Sequence, residues 1–314
     1  MVNLFDRIYS SIVSKNAFLN RIRFYSILRF STRFMANAIL PICFILTKNN
    51  SHYKLSRNNK TKNRIIVSFT SFPTRINRVW LVVETMLRQT IKPDMIILWL
   101  SKDQFPSIES IPKKLLQQGN RGLDIRLVDE DLRSHKKYYY TLMEYPNDIM
   151  ITIDDDIFYP DFVIEKLINY HKLFPNYICC NRALLINYEK DKLLPYMNWE
   201  NLKNDNKCNN LFFTSGGSTL FPPNSLYQDV VNKDIFIKYC FKADDVWLNV
   251  MTYLNETNII KTDYYSACLP IINRNNKTLS SENLNGLNDI QINAVREYCI
   301  NNLGKDPFYK GENI

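Results

Sequence analysis

Three consecutive aspartates, Asp154, Asp155 and Asp156, directly follow an apolar run that ends at residue 153. Like charges at this spacing repel, so the cluster needs a counter-charge or a chemical role. Along an extended chain, alternate side chains share a face, and Asp154 and Asp156 are therefore expected to converge while Asp155 points elsewhere. Two carboxylates suit Mg²⁺ or Mn²⁺ and leave coordination positions for phosphate oxygens. A solvated turn is the purely structural alternative.

A second acidic pair, Asp244 and Asp245, opens a predicted helix over residues 244–254. An acid at a helix start is an ordinary cap, but a pair leaves one carboxylate to spare. If Asp244 caps the helix, Asp245 projects from it and can take a proton as a general base. The neighbouring charge would raise the pKa of Asp245 and the helix terminus would lower it. Asp245 is the first candidate for a base and Asp244 the second.

Other polar residues follow predicted strands or interrupt apolar segments. Gly216 and Gly217 are two of only seven glycines, and adjacent glycines let the backbone approach a ligand or form a tight turn. Arg75 can hold a phosphate with two hydrogen bonds, although a surface arginine beside a proline turn looks the same. Asp103 either accepts hydrogen bonds from a nucleoside or ends a plain turn.

A single fold must bring these separated residues together. From residue 65 onward, strand-like runs alternate with helical patterns, which predicts an α/β fold with a largely parallel sheet. The predicted strands are "RIIVSFTSFP", "KPDMIILWLS", "GLDIRLVDED" and "DIMITIDDDIFYP", and the first two helices cover residues 78–90 and 135–146. In open sheets of this kind, ligands bind at the carboxyl ends of the strands, where the aspartates stand.

Four motifs in a fixed order give the sequence a family resemblance. They are "VSFTSFPTRI" (67–76), "YPNDIMITIDDDIFYP" (145–160), "SGGSTLFPP" (215–223) and "KADDVWL" (242–248). Together they resemble bacterial glycosyltransferases of the GT-A fold, similar to glycosyltransferase family 2, that are encoded with capsule, O-antigen and other surface-polysaccharide genes. The resemblance covers residues 64–290, and four ordered motifs are more specific than the D-x-D motif alone.

The resemblance implies a GT-A fold, in which helices flank a mixed, mostly parallel sheet. It also implies a Mn²⁺- or Mg²⁺-dependent enzyme that moves a sugar, with inversion, from a nucleotide-diphosphate donor such as a UDP-sugar to a saccharide or lipid-linked acceptor. Asp156 would be the direct metal ligand, while Asp154 and Asp155 would share ribose and metal-water contacts. Asp245 would be the catalytic base, with Asp244 as the second candidate.

The same resemblance assigns binding roles to further residues. Thr70, Phe72 and Arg75 would cradle the base and diphosphate, and Lys137, with Lys136 as second choice, would face the donor pocket. Gly216 and Gly217 would border the transferred sugar and the acceptor, and Arg274 is a further candidate for contacting the diphosphate. Two other interpretations stay open: a different metal-dependent phosphoryl or nucleotidyl enzyme, and a non-catalytic, membrane-associated binding protein.

The positive charge is concentrated at the N-terminal end of the chain. Residues 1–64 hold 12 Lys and Arg against one acid, a balance of +11, whereas residues 65–314 hold 28 against 30. The pattern predicts a basic amphipathic arm and linker over residues 1–63 and a catalytic domain over 64–314. Its uncharged run over residues 34–46 contains Pro41 and is too short to span a bilayer.

Residues 1–60 are therefore expected to attach to an anionic membrane surface from the cytoplasmic side, as a peripheral segment that can be removed without loss of donor binding. Helices packed on the domain are the alternative. Nucleic-acid binding is disfavoured because no recognition motif accompanies the charge. Seven irregularly spaced cysteines fit no disulfide framework, which agrees with a cytosolic protein, and three histidines exclude a His-rich metal site.

Overall fold

A computed structural model describes the chain over residues 1–12, 16–48, 55, 63–204, 210–265, 267–273 and 286–308. Arg274 and most of the predicted linker lie outside these residues. The strands are β1 (Ile65–Thr70), β2 (Met95–Ser101), β3 (Leu123–Val128), β4 (Ile149–Thr152), β5 (Ile178–Cys180), β6 (Ala183–Leu185), β7 (Tyr188–Glu189), β8 (Lys192–Leu193), β9 (Glu200–Asn201), β10 (Leu211–Phe213), β11 (Thr219–Phe221) and β12 (Ile259–Lys261).

Among the described residues, the α-helices are α1 (Val2–Ser11), α2 (Ala17–Arg21), α3 (Phe24–Thr47), α4 (Val79–Leu87), α5 (Lys113–Leu116), α6 (Lys136–Glu144), α7 (Val163–Leu173), α8 (Lys233–Cys240), α9 (Asp244–Leu254) and α10 (Asn288–Leu303). The four predicted strands and both predicted helices correspond to β1 to β4, α4 and α6, with shorter bounds. The observed elements are shorter than the predicted ones because the polar residues at the ends of each predicted segment lie in turns.

A seven-stranded sheet in the order β12-β5-β11-β4-β1-β2-β3 forms the centre of the fold. All neighbouring strands are parallel except at β11, which is antiparallel to β4 and β5. β1 and β4 therefore end at one edge, where β11 begins, and Thr219 pairs with Thr152 there. This mixed, mostly parallel sheet with flanking helices confirms the predicted α/β class.

A buried polar cluster fixes α6 against the sheet. The Ser68 hydroxyl on β1 donates to the carbonyl of Lys137 at 2.5 Å, and the Trp99 indole on β2 donates to the Thr141 hydroxyl at 2.8 Å. Each of these side chains is at most 4% exposed, so the hydrogen bonds are shielded from water. They set the rotation of α6, and with it the direction of the Lys137 side chain.

The N-terminal helices pack directly on this domain. Ala36, Leu40 and Phe44 form a buried stripe at four-residue spacing on α3 and join the main hydrophobic core. The Asn37 amide donates to the Pro270 carbonyl at 3.0 Å, and Tyr264 donates to the Asp6 carboxylate at 2.7 Å. The arm is thus part of the packed structure, which agrees with the alternative of helices packed on the domain, while the effect of its removal on donor binding stays a prediction.

The outer side of α3 stays exposed although it is apolar. It carries ten large exposed hydrophobic residues: Phe24, Ile27, Leu28, Phe30, Phe34, Met35, Ile39, Ile42, Ile45 and Leu46. The prediction that this segment is too short to span a bilayer is wrong, because the helix starts at Phe24 and continues through Pro41 for 24 residues. Within the described ranges, α3 alone has the length and apolar composition to cross a membrane.

Candidate functional site

A cavity of about 950 Å³ opens at the edge of the sheet where β1 and β4 end and β11 begins. It is lined by Thr70, Phe72, Arg75, Lys136, Lys137, Asp154, Asp155, Asp156, Gly216, Gly217, Asp244 and Asp245. Ten of these residues come from the four motifs, Lys136 and Lys137 come from α6, and the topology brings them to one place. Asp103 differs: it is exposed and does not line the cavity, whereas its neighbour Gln104 does.

The three aspartates leave β4 and enter a turn instead of continuing the strand. The strand ends at Thr152, and residues 155 and 156 lie in a turn. Alternation along an extended chain therefore does not apply, and the reason given for expecting Asp154 and Asp156 to converge fails. Arg75 contacts Asp155 at 2.7 Å and Asp156 at 3.0 Å, which groups those two carboxylates.

Asp155 is the buried member of the three aspartates and holds the turn in place. Its side chain is 6% exposed, and its two oxygens accept hydrogen bonds from Arg75 and from the Ser71 hydroxyl. The Arg75 guanidinium also lies over the Phe72 ring at 5.1 Å. Asp155 therefore ties the loop after β1 to the acidic turn, while the side chains of Asp154 and Asp156 are 42% and 26% exposed.

Lys137 connects the acidic turn with the start of α9. Its ammonium lies 3.0 Å from Asp154 and 2.7 Å from Asp244, and its side chain is 5% exposed. Burial alone would lower the pKa of Lys137, but Asp154 and Asp244 outweigh it and raise the pKa, so the side chain stays charged. Lys136 lines the same cavity and forms an ion pair with Asp131.

Asp244 and Asp245 occupy different electrostatic environments at the start of α9. Burial would raise the pKa of Asp244, but Lys137 lowers it to about 2, so this carboxylate is ionised. Burial and the charge of Asp244 raise the pKa of Asp245 to about 6. Asp245 Oδ1 accepts hydrogen bonds from the backbone N–H and hydroxyl of Ser215, whereas none of the described groups donates to Oδ2.

The glycine pair allows close packing at the cavity wall. A Cβ on Gly216 would lie 1.7 Å from Asp154 Oδ2, and one on Gly217 would lie 2.6 Å from the Cβ of Arg182. The Gly216 carbonyl accepts a hydrogen bond from Tyr159, whose hydroxyl in turn accepts one from the Asp154 N–H at 2.8 Å. Both glycines are therefore explained by close packing against protein side chains within a tight turn over residues 215–217, while their approach to a ligand stays a prediction.

The carboxylates of the site crowd one another. Five of them (Asp154, Asp155, Asp156, Asp244 and Asp245) cluster around Arg75 and Lys137, whereas over the whole cavity lining six aspartates balance six Lys and Arg residues. Burial and the charge of Asp155 raise the pKa of Asp156 to about 7, although Arg75 opposes the shift. A bound divalent cation would relieve this repulsion.

Within the described ranges, no three His, Cys, Asp or Glu side chains form a ready-made metal cage. The accessible oxygens of Asp154 and Asp156 nevertheless suit Mg²⁺ or Mn²⁺. These ions often bind through one or two carboxylates and complete their coordination with phosphate oxygens and water. The residues present fit a cation that arrives with a diphosphate.

Several cavity residues were not predicted from the sequence. Ser71 and Ser215 hold carboxylates, and Arg182, Tyr196 and Thr214 line the wall next to the glycine pair. The short apolar run "YICC" followed by Asn and Arg is a strand-end signal that points to Arg182. Ser215 lies inside the glycine motif, but its contact with both Asp244 and Asp245 depends on the turn geometry.

No family model matches the sequence, and no curated protein matches it. Among solved structures, the chain is similar to 4-diphosphocytidyl-2C-methyl-D-erythritol synthase from Anaerococcus prevotii DSM 20548, with 16% identity and a TM-score of 0.41, over 66% of this chain and 90% of that chain. It is also similar to CMP:2-keto-3-deoxy-manno-octonic acid synthetase complexed with CTP, with 9% identity and a TM-score of 0.39. That match covers 73% of this chain and 99% of that chain. Likenesses at this level do not identify an activity.

Proposed function

We propose that the chain is a metal-dependent, inverting glycosyltransferase that moves a sugar from a nucleotide-diphosphate donor, such as a UDP-sugar, to a saccharide or lipid-linked saccharide acceptor. The observation that carries the proposal is that an accessible carboxylate pair and a separate carboxylate with a raised pKa, Asp245, face one cavity, where Lys137 links Asp154 to Asp244. The first can hold a cation with its diphosphate, and the second can take a proton.

Asp245 is the base in this proposal. Its Oδ1 is held by Ser215, which leaves Oδ2 free to accept the proton of an acceptor hydroxyl. As the proton moves to Oδ2, the acceptor oxygen bonds to the anomeric carbon, and the bond from that carbon to the diphosphate oxygen breaks. A single displacement of this kind inverts the anomeric configuration.

The donor end of the cavity lies beside the loop after β1. Asp156 and Asp154 would hold Mn²⁺ or Mg²⁺, and a metal bound there would neutralise the developing charge of the diphosphate leaving group. Arg75 already bridges Asp155 and Asp156, so it holds the turn in shape and adds positive charge at this end. Thr70 and Phe72 supply the wall for the nucleoside.

A nucleotidyltransferase is the alternative that the experiment must separate. Such an enzyme needs no carboxylate base for a sugar hydroxyl when the attacking group is already an anion, and residues 71–78 after β1 contain no glycine to cradle a triphosphate. We expect a panel of UDP-sugars with Mn²⁺ to release UDP, faster with the right acceptor. Release of pyrophosphate from UTP and a sugar phosphate, without UDP formation from any UDP-sugar, would contradict the proposal.

The arm is proposed to hold the enzyme on the inner face of the cytoplasmic membrane, where a lipid-linked acceptor of surface-polysaccharide synthesis would be found. The buried stripe of α3 runs along the helix axis, so α3 cannot cross a bilayer without leaving the domain. A helix that lies in the interface fits both the packed side and the apolar outer side. The basic residues of the arm would add attraction to anionic lipid.

Replacement of both Phe30 and Phe34 by serine is expected to lower binding to anionic liposomes by at least about tenfold, because two large apolar side chains no longer enter the membrane interface. Both rings are more than half exposed and stack on each other, so the thermal midpoint should stay near that of the unaltered protein. Liposome flotation at low salt and a thermal melt measure the two effects.

Leu173→Ser is the matched control, because Leu173 is 72% exposed on α7, outside the arm, and should not affect flotation. Deletion of residues 1–47 should instead lower the melting temperature, since it strips Ala36, Leu40 and Phe44 from the core. Equal flotation of the double variant and the unaltered protein would contradict the membrane role.

A further inference from the structure

An arginine beside the glycine pair has no counter-charge in contact. Arg182 follows β5 and lines the wall next to Gly217. By contrast, Arg75, Lys136 and Lys137 each form an ion pair with an aspartate. Across the described ranges, the Arg182 guanidinium takes part in no ion pair and no side-chain hydrogen bond, so its donors are available to a ligand.

The hydroxyl of Thr214 lies beside Arg182 and also lacks a partner. Thr214 is 6% exposed and lines the cavity, yet its buried Oγ1 makes no hydrogen bond. A Cβ on Gly217 would come within 2.6 Å of the Arg182 Cβ and 2.9 Å of Thr214 Oγ1, so both side chains flank this glycine. Buried polar groups are normally hydrogen-bonded, and an unpaired hydroxyl next to an unpaired guanidinium therefore points to a bound group.

The chemistry of these two side chains selects an oxyanion. A guanidinium presents a planar set of donors that matches a carboxylate or phosphate in two parallel hydrogen bonds, and a hydroxyl can add a third. A neutral sugar hydroxyl would leave the positive charge of Arg182 without compensation. The site therefore fits a charged group better than an ordinary hexose.

The position of Arg182 assigns that group to the acceptor side. Thr70, Phe72 and Arg75 line the donor end through the loop after β1, whereas Arg182 follows β5 and packs beside Gly217. Cys268 is the main cause of the raised pKa of Arg182, and Asp245, the proposed base, and Asp154 both contribute. A group bound to Arg182 would lie on the molecule whose hydroxyl Asp245 deprotonates.

We propose that Arg182 and Thr214 form a subsite for a carboxylate or phosphate carried by the acceptor, so that the enzyme selects a negatively charged saccharide. The assignment of the group to the acceptor rests on the proposed function. The binding preference itself does not require transfer to occur, and an equilibrium measurement therefore tests it separately.

The experiment titrates the full chain with three probes: methyl glucoside, methyl glucuronide and glucose 6-phosphate. Each titration is done in the absence and in the presence of UDP and Mn²⁺. We expect at least one anionic probe to bind ten times more tightly than methyl glucoside, as followed by tryptophan fluorescence or calorimetry. A preference for the glucuronide identifies a carboxylate as the bound group, and a preference for the phosphate identifies a phosphorylated saccharide.

Arg182→Gln should remove this preference, Arg182→Lys should keep only part of it, and Thr214→Val should weaken it at nearly constant side-chain volume. Arg78→Gln is the matched control, because Arg78 is exposed and does not line the cavity. Equal affinity for the three probes in the unaltered protein, or a preference that survives Arg182→Gln, would overturn the subsite. Failure of UDP to bind while the preference persists would contradict only the proposed function.

Discussion

Asp245→Asn is expected to lower the rate of sugar transfer by a factor on the order of 10² to 10⁴, the usual contribution of a general base. An amide keeps the size of the side chain and can still accept a hydrogen bond from Ser215. It cannot take a proton from the acceptor hydroxyl. Donor affinity should stay near that of the unaltered enzyme, because Asp245 makes no contact with the acidic turn. Steady-state kinetics with a fixed donor measure the loss.

The dependence of the transfer rate on pH is a second test of Asp245 as the base. Burial and the charge of Asp244 raise the pKa of Asp245 to about 6, and the base must be ionised to work. The rate should therefore be level above that pH and fall about tenfold per unit below it. The residual rate of Asp245→Asn should lack this acid limb. A variant with the full rate, or with an unchanged acid limb, would remove Asp245 from the chemistry.

Asp244→Asn is the informative comparison because its carboxylate pairs with Lys137 at 2.7 Å. Loss of the Asp244 charge leaves the Lys137 ammonium paired with Asp154 alone. It also removes a carboxylate that raises the pKa of Asp245. We expect this variant to shift the acid limb to lower pH, an effect that Asp245→Asn cannot produce. If Asp244→Asn abolishes transfer while Asp245→Asn does not, the two residues exchange roles.

Asp156→Asn is expected to abolish Mn²⁺-dependent binding of UDP while the fold is kept. Asp156 is an accessible carboxylate of the turn, and its raised pKa reflects burial and the unrelieved charge of Asp155. An amide is a much poorer ligand for a hard divalent cation. Thermal shift with UDP, Mn²⁺ and both together should show stabilisation by the pair in the unaltered protein and none in the variant.

Asp129→Asn is the matched control for this loss of one carboxylate. Its side chain is 84% exposed and pairs with Lys102 at the surface, away from the cavity wall. This variant should keep the full thermal shift, so a general effect of reduced negative charge can be separated from loss of a ligand. Undiminished Mn²⁺-dependent binding in Asp156→Asn would rule out the metal assignment.

The sheet and the main motifs could be predicted from the sequence because each buried strand is an apolar run bounded by polar residues. Parallel strands then bring their carboxyl ends to one edge, which places the aspartates and glycines together. The full length of α3 was missed, since Arg29 and Arg33 interrupt its apolar sequence and Pro41 is a residue that usually ends a helix. Packing on the domain supports the helix, and Arg29 reaches back to the carbonyl of Ile12 at 2.9 Å.

Pairing within the site could not be predicted in the same way. Periodicity says which face of a strand a residue shares, but the acidic cluster lies in a turn. The contacts of Lys137 and Arg75 depend on how that turn, α6 and α9 meet in space. Asp103 was misplaced because a residue just beyond a strand end can point outward as readily as inward.

Docking of the arm joins residues from opposite ends of the chain. Asn37 and Pro270 are 233 positions apart, and Asp6 and Tyr264 are 258 apart. During synthesis, α1 and α3 leave the ribosome long before the segment that receives them, and contacts of such sequence separation form late in folding. Until then both sides of α3 are unprotected, so its apolar surface is the region most exposed to aggregation. We expect the nascent arm to need a chaperone or a lipid surface before the domain is complete.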